Sequence, residues 1–202
     1  MKVEHLTMLA KHRMKRYHTR RLDQITQIVI HHSAAPANQQ IADIAKYHVN
    51  HHGWPGIAYH YVVSANGQPY MTQEANVISY HAAGANTISL GICLLGDFTS
   101  KPPPPEQLAA CRELIAALRE QIPSITRVIP HNGVTGSSTA CPGASFPMSL
   151  LESIPAPPVT ETDEQTYSDL VGLYSYLDIT DAPEEVRAAF NRLRRLPGMP
   201  PL

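Results

Sequence analysis

Three potential metal ligands are widely separated in this sequence, and two of them directly follow apolar segments. His31 comes after Ile28–Ile30, His131 comes after Val128–Pro130, and Cys141 lies further on in a small polar loop. Side chains at the ends of neighbouring strands can converge on one point, so these segments are expected to be strands of one sheet. Two neutral imidazoles and a thiolate suit zinc, and three protein ligands leave a fourth position open for water, as in catalytic zinc sites.

The hydrophobic pattern predicts strands that alternate with helices. The predicted strands are Ile25–Ile30, Ala58–Ser64, Pro69–Gln73, Ser89–Leu95 and Ile125–Ile129. Asn66-Gly67 is a two-residue hairpin turn signal between the second and the third of these strands. Helical spacing of apolar residues predicts one helix capped by Asn38 and another over Glu106–Gln121. This order of elements predicts an α/β fold with a mixed central β-sheet flanked by helices.

Composition divides the 202-residue chain into four parts. Residues 1–22 hold seven Lys or Arg against one acidic residue and are expected to form a basic N-terminal arm. The hydrophobic fraction of 43% is sufficient for one ordinary domain with a core, which is expected over residues 23–154. Prolines mark residues 155–166 as a linker, and helical stripes in residues 167–202 predict a small helical C-terminal appendage.

Both terminal regions leave alternatives open. A basic arm can bind an anionic polymer such as nucleic acid or a cell-wall polyanion, but a solvated and partly mobile segment is the simpler interpretation. No nucleic-acid partner is expected. The C-terminal helices are too small to form a core alone, so they are expected to dock onto the main domain, form an oligomer with another chain, or bind wall polymer.

The apolar segments also indicate the cellular compartment in which the protein is expected. None approaches the length that spans a bilayer, and none follows the early positive charges as the core of a secretory signal does. A soluble cytoplasmic product is therefore expected. Cys93 lies in an apolar run and Cys111 on the apolar face of a predicted helix, so both are interpreted as core thiols. Cys141 is then left as a ligand, and a disulfide scaffold is not expected.

Four motifs occur in an order that resembles a known family. They are Val29–Ala34, Trp54–Tyr61, Gly91–Gly96 and Thr139–Gly143. Together they resemble the type-2 N-acetylmuramoyl-L-alanine amidases, which include phage amidase-type lysozymes and the peptidoglycan recognition proteins. The resemblance covers residues 24–150 and excludes the basic arm and the C-terminal helices.

The resemblance implies a set of zinc ligands. The family's ligand positions fall on His31, His131 and Cys141, which would bind Zn²⁺. Strand alternation sends His32 to the opposite face of its strand, so it is left for a supporting or packing role.

The resemblance also implies catalytic and substrate-binding residues. Tyr59 corresponds to a strand tyrosine beside the zinc water, and Thr139 lies two positions before the cysteine ligand. Both are expected to donate hydrogen bonds to the oxyanion of a tetrahedral intermediate. Tyr59 is also expected to move the proton to the leaving amine, since no glutamate follows a ligand as in His-Glu-x-x-His metalloproteases. His81, Asn86 and Trp54 match groove positions that contact the muramyl-peptide.

Three positions depart from the common family pattern. Gly56 and Gln73 lie where Asp and Arg are frequent, and Asn132 lies where Arg often follows the second ligand. These changes bear on stem-peptide specificity and loop shape and leave the zinc ligands intact.

The implied activity is zinc-dependent hydrolysis of the amide bond between N-acetylmuramic acid and L-alanine in peptidoglycan. A lysin or turnover amidase that acts on the cell wall after release fits this expectation. A non-catalytic peptidoglycan-recognition module is the first alternative, although such members lose the cysteine ligand. A structural zinc protein is the second alternative, with a fourth ligand such as His32 or His60.

Overall fold

The computed structural model of the protein describes residues 2–152. The predicted linker 155–166, the predicted helical region 167–202 and any oligomer contact through it lie outside the described residues. The helices within the described part are α1 (Ile41–Asn50), α2 (Pro105–Gln121) and the short α3 (Ser149–Glu152).

A six-stranded mixed sheet forms the centre of the described part. In spatial order its strands are β1 (Glu4–His5), β5 (Pro69–Met71), β4 (Tyr61–Val63), β7 (Ser89–Leu94), β3 (Gln27–His32) and β8 (Arg127–Pro130). Strand β3 pairs in parallel with β7 and β8, and β7 pairs in parallel with β4. Strands β4 and β5 form an antiparallel hairpin around Gly67, whose φ of 81° suits the predicted turn. The predicted mixed α/β fold is confirmed.

The central strands are covered on both faces, which explains their nearly continuous apolar sequences. Every residue of β3 and β7 is buried. Ile28 and Ile30 belong to the large core that α2 covers, whereas Val29 belongs to a separate cluster. Because side chains alternate along a strand, His31 shares the face of Val29, and His32 shares the face of Ile30.

The helices bury apolar stripes at the spacing that the sequence predicts. Helix α2 contributes Cys111, Leu114, Ile115 and Leu118 to the large core, and α1 contributes Ile44 and Ala45 to a cluster that includes Cys93. The expected cap of α1 is wrong. The helix begins after Gln40 without a side-chain cap, because Asn38 lies within a preceding turn that the Gln39 N–H closes onto the Pro36 carbonyl. All three cysteines are buried free thiols.

The basic N-terminal segment departs from the expected solvated arm. Strand β1 extends the main sheet, and β2 (His18–Thr19) pairs with β6 (Val77–Ile78) in a two-stranded sheet. The buried Arg20 guanidinium donates to the Asn86 carbonyl at 2.5 Å and to the Ala75 carbonyl at 3.1 Å. The Tyr17 hydroxyl donates to the Gly56 carbonyl at 2.9 Å. Arg20 is therefore held by backbone carbonyls, a partner that composition does not reveal.

No helix within residues 2–152 combines the length and apolar character needed to cross a bilayer.

Candidate metal centre

The three predicted ligands come together at one end of the sheet. His31 is near the end of β3, and His131 begins a 3-10 turn directly after the neighbouring strand β8. The His31 and His131 rings lie 4.5 Å apart between centroids. The Cys141 Sγ lies 3.8 Å from the His31 Nδ1. Parallel pairing of β3 with β8 therefore places two imidazoles side by side, and a loop adds the thiol.

This geometry fits a tetrahedral zinc ion. The ligand atoms of His31, His131 and Cys141 all lie within 4.8 Å of one another, and within the described residues this is the one such cluster of three or more. Zinc–nitrogen and zinc–sulfur bond lengths in a tetrahedron place the two ligand atoms about 3.6 Å apart, close to the observed separation. The donor set of two imidazoles and a thiol is one that zinc commonly takes.

The electrostatics of the cluster keep both imidazoles neutral. Burial, followed by the nearby histidines His81 and His131, holds the pKa of His31 well below its usual value. Burial also lowers the pKa of His131. Burial raises the pKa of Cys141 to about 11 in the absence of a cation. The imidazoles therefore have lone pairs for a metal at neutral pH, while the thiol must lose its proton when metal binds.

Backbone contacts hold the Cys141 loop in place. The Cys141 N–H donates to the Thr139 Oγ1 at 3.2 Å, and the Cys141 carbonyl accepts from the Asn132 N–H at 2.9 Å. The His32 N–H donates to the Cys141 Sγ at 3.4 Å. Gly143, at a φ of 105°, passes so close to Phe98 that a Cβ would lie 2.4 Å from its carbonyl carbon. The loop therefore needs glycine at this point to reach the strand ends.

Tyr59 and Thr139 lie beside the cluster, as the sequence predicts. The Tyr59 ring is 5.2 Å from the His31 ring. Burial, then the neighbouring thiols of Cys93 and Cys141, raises the pKa of Tyr59 well above its usual value. The hydroxyl therefore remains protonated and suits a hydrogen-bond donor better than a base. Because the Thr139 Oγ1 accepts from a backbone N–H, its own proton is available to a ligand.

Neither proposed fourth ligand belongs to the cluster. The His32 Nδ1 accepts from the Phe98 N–H at 3.3 Å and faces the opposite side of the sheet. The His60 Nδ1 accepts from the Gly91 N–H at 2.9 Å, and its Nε2 donates to the Val77 carbonyl at 2.8 Å. Both nitrogens of His60 are therefore used by the backbone, so within residues 2–152 neither His32 nor His60 adds a fourth ligand to the His31–His131–Cys141 cluster.

The three predicted substrate residues fall in different environments. Trp54 is partly exposed and stacks on His52 with ring centroids 4.4 Å apart. The Asn86 Oδ1 accepts from the Ala82 N–H at 2.7 Å, so it closes a turn. His81 is only 6% exposed and lies against His31, with the two rings nearly perpendicular at 89°. Trp54 and Asn86 are both partly exposed, whereas His81 is buried.

Two residues near the His31–His131–Cys141 cluster were not identified from the sequence. Ser89 lies within hydrogen-bond distance of His81, although its position at the start of an apolar strand gives no sign of this contact. His48 on α1 packs against both Trp54 and Tyr59, with centroid distances of 5.0 and 5.6 Å. Its place on the apolar face of α1, beside Ile44 and Ala45, was the available signal.

Comparisons with known proteins agree with this geometry. The chain is 32% identical over 126 residues to peptidoglycan-recognition protein LB of Drosophila melanogaster, covering 57% of this chain and 53% of that protein, so it spans about half of that relative's length. It is 27% identical to the endolysin of Enterobacteria phage K11, covering 59% of this chain and 81% of the endolysin. The solved N-acetylmuramoyl-L-alanine amidase LysC from Clostridium intestinale URNW superposes with a TM-score of 0.63 at 26% identity, covering 75% of this chain and 95% of LysC.

A family profile described as N-acetylmuramoyl-L-alanine amidase matches residues 19–144. That range contains all three clustered ligands together with Tyr59 and Thr139, and it covers more than half of the sequence. This chain belongs to the Amidase_2 family of N-acetylmuramoyl-L-alanine amidases.

Proposed function

We propose that this protein is a zinc-dependent amidase that cleaves the bond between N-acetylmuramic acid and L-alanine in peptidoglycan, acting on the cell wall as an endolysin or turnover enzyme. The observation that carries the proposal is the convergence of His31, His131 and Cys141 with ligand atoms within 4.8 Å of one another. The family membership and the resemblance to an endolysin and to the LysC amidase support the same reaction.

His31, His131 and Cys141 would hold the zinc ion. Bound by three protein ligands, zinc supplies a Lewis acid with an open position and makes water a competent nucleophile near neutral pH. The protein's own contribution is to fix the three donors before metal arrives. It does this through the β3–β8 pairing and the backbone contacts of the cysteine loop.

Tyr59 and Thr139 are the proposed catalytic donors. Addition of water to the amide carbonyl leaves a negative charge on its oxygen, which protonated hydroxyls stabilise. The Tyr59 hydroxyl is held in its protonated form by burial, and the Thr139 hydroxyl has its proton free because its oxygen already accepts from the Cys141 N–H. The leaving amine must also gain a proton, and Tyr59 is the proposed relay: its hydroxyl passes a proton to the amine and regains the proton that the attacking water loses.

A recognition module without catalysis is the second candidate, because the relatives include a peptidoglycan-recognition protein. Binding peptidoglycan needs neither a metal-binding thiol nor two hydroxyl donors around it. Retention of Cys141, Tyr59 and Thr139 around the two histidines supports the enzyme.

Two substitutions test the proposed mechanism separately. Cys141→Ala removes one of three ligands and should abolish both zinc binding and lysis of purified cell walls. Tyr59→Phe removes only a hydroxyl, so zinc content should stay at one ion per chain while turnover falls by about 10²–10³-fold, the usual loss for one oxyanion donor. Metal analysis and turbidity assays measure the two effects. Full hydrolysis by Cys141→Ala would refute the mechanism.

Product analysis identifies the bond that is cut. Digestion of purified peptidoglycan should release new L-alanine amino termini without new reducing sugars. New reducing sugars would indicate a glycosidase, and tight binding without any product would favour the recognition module.

A further inference from the structure

We propose that His81 is a positioning residue that holds His31 in the tautomer with its proton on Nε2, so that the Nδ1 lone pair faces the other two ligands. The inference rests on the proposed function, because it assigns His81 a role toward the zinc ligands. The His31 Nε2 and the His81 Nδ1 are 3.0 Å apart, in a buried contact between residues 50 positions apart in the chain.

The direction of each hydrogen bond follows from counting protons. The Ser89 hydroxyl donates its single proton to the Ala85 carbonyl at 2.6 Å. Its oxygen must therefore accept in its contact with the His81 Nε2 at 3.2 Å, so that nitrogen carries a proton. A neutral imidazole has one proton, which leaves the His81 Nδ1 as an acceptor. The proton in the His31–His81 contact then belongs to the His31 Nε2.

This assignment leaves His31 with one lone pair, on Nδ1. That nitrogen is the atom 3.8 Å from the Cys141 Sγ, on the side where the ligand atoms cluster. A metal-binding histidine commonly donates its second ring proton to a fixed acceptor, which sets ring orientation and raises the basicity of the ligating nitrogen. Here the acceptor is a second imidazole, oriented in turn by a serine.

Packing fixes His81 independently of its hydrogen bonds. Gly91 lies in the middle of β7, and a Cβ at this position would lie 2.6 Å from the His81 Cγ and 2.8 Å from its Nδ1. The His81 ring therefore occupies the space that any other residue at position 91 would fill. With 6% exposure and both ring nitrogens bonded within the protein, His81 has no free group for a substrate.

Nuclear magnetic resonance of the zinc-free protein tests the tautomer directly. With ¹⁵N-labelled histidine, His31 should carry its proton on Nε2, and a scalar coupling across the hydrogen bond should link that nitrogen to the His81 Nδ1. A proton on the His81 Nδ1, or no coupling between the two rings, would overturn the proposal.

Zinc affinity of the folded protein tests the consequence. His81→Leu should weaken zinc binding by about 10–100-fold, the usual cost of losing a partner of a metal-binding histidine. His81→Asn keeps an acceptor oxygen near the position of Nδ1 and should recover most of the affinity. Gly91→Ala leaves both histidines intact but displaces the His81 ring, so it should also weaken zinc binding.

His48→Leu is the matched control. His48 is another buried histidine whose Nδ1 accepts a backbone N–H, that of Ala58. Its loss should lower the thermal stability of the zinc-free protein and leave zinc affinity at the wild-type level. A general packing role for His81 predicts equal effects of His48→Leu and His81→Leu on zinc affinity, and that result would overturn the proposal.

The two proposals fail in different ways. If the wild-type protein binds zinc but hydrolyses no peptidoglycan, the proposed function fails, while the tautomer and affinity measurements still decide the role of His81. If the wild-type protein hydrolyses peptidoglycan and His81→Leu keeps full zinc affinity, the positioning role fails and the proposed function stands.

Discussion

At the scale of single residues, two polar side chains of the site, His31 and Thr139, each have one group bonded to the protein and one left for chemistry. The His31 Nε2 contacts His81, which leaves its Nδ1 free. The Thr139 oxygen accepts from the Cys141 N–H, which leaves its proton free. Such division keeps each functional atom in place before any ligand arrives, so little ordering entropy remains to be lost on binding.

The Cys141 thiol is expected to set the pH dependence of the proposed zinc binding. Its pKa is raised to about 11 by burial, whereas burial lowers the pKa of both ligand histidines. Near pH 8 the Cys141 thiol of the metal-free protein is therefore still protonated, and zinc must displace that proton. We expect release of at least one proton per zinc ion, from the thiol, and of a second where a zinc-bound water ionises. Each released proton should weaken the apparent affinity about tenfold per unit fall in pH.

Calorimetry in buffers of different ionisation enthalpy counts the released proton. Cys111→Ala provides the control, because this buried thiol belongs to the large core under α2. Its substitution should leave the proton count unchanged. A count of zero in the wild-type protein would contradict the expected thiol.

At the scale of elements, sequence reasoning succeeds where apolar runs are long and fails where backbone contacts decide. The runs that become β3 and β7 and the stripe of α2 are readable because burial on a sheet face or helix stripe dictates residue type. Strands β1 and β2 have two exposed residues each, so their sequence carries no such period. Their partners are backbone groups distant in the chain, which no local pattern encodes.

The same distinction applies to the candidate site. His31, His131 and Cys141 could be predicted because distinct motifs surround each of them. The position of His81 could not be predicted, since it depends on the space left by Gly91 across the sheet. In the sequence, a histidine that lines a groove looks the same as a histidine buried beside a metal ligand. Only the packing in the structure distinguishes them.

Arg20 is expected to be the anchor of the N-terminal segment. Arg20→Met should leave the Asn86 and Ala75 carbonyls without this donor and lower the free energy of unfolding by about 1–3 kcal/mol. Arg13→Ala, at an exposed position, should change it by less than about 0.5 kcal/mol. Urea unfolding measures both. Equal effects of the two substitutions would contradict an anchoring role.

Buried histidines that bond the backbone should make the fold sensitive to acid. Burial lowers the pKa of His60 to about 3 and that of His48 to about 4, whereas both titrate near 6.5 in an unfolded chain. Below about pH 6.5 the unfolded chain binds more protons than the folded protein. The stabilising contribution of these two histidines to the free energy of unfolding should therefore be complete above about pH 6.5 and be lost as the pH drops toward about 3.

Thermal unfolding of zinc-free protein from neutral to acidic pH measures this loss. His60→Asn keeps an acceptor for the Gly91 N–H without a titrating ring, so its stability should depend less on pH than that of the wild type. The same pH dependence in both proteins would contradict a contribution from His60.

At the scale of the whole molecule, metal binding should stabilise the fold. The cluster needs the folded arrangement of three distant segments, so zinc binds the native state in preference to the unfolded chain. At free zinc about 100 times the dissociation constant, the expected stabilisation is about 2.7 kcal/mol. Differential scanning calorimetry with and without a chelator measures the shift. Cys141→Ala, which lacks a ligand, should show no shift, and a wild-type melting temperature unaffected by chelator would contradict the prediction.

The pairing of His31 with Cys141 across 110 sequence positions also has a consequence for biosynthesis. The last ligand leaves the ribosome only after nearly the whole amidase region has been made, so no nascent chain short of it holds a complete site. Metal binding at the complete site therefore requires that β3, the end of β8 and the Cys141 loop have already come together. If the proposed function holds, products truncated before Cys141 should not hydrolyse peptidoglycan.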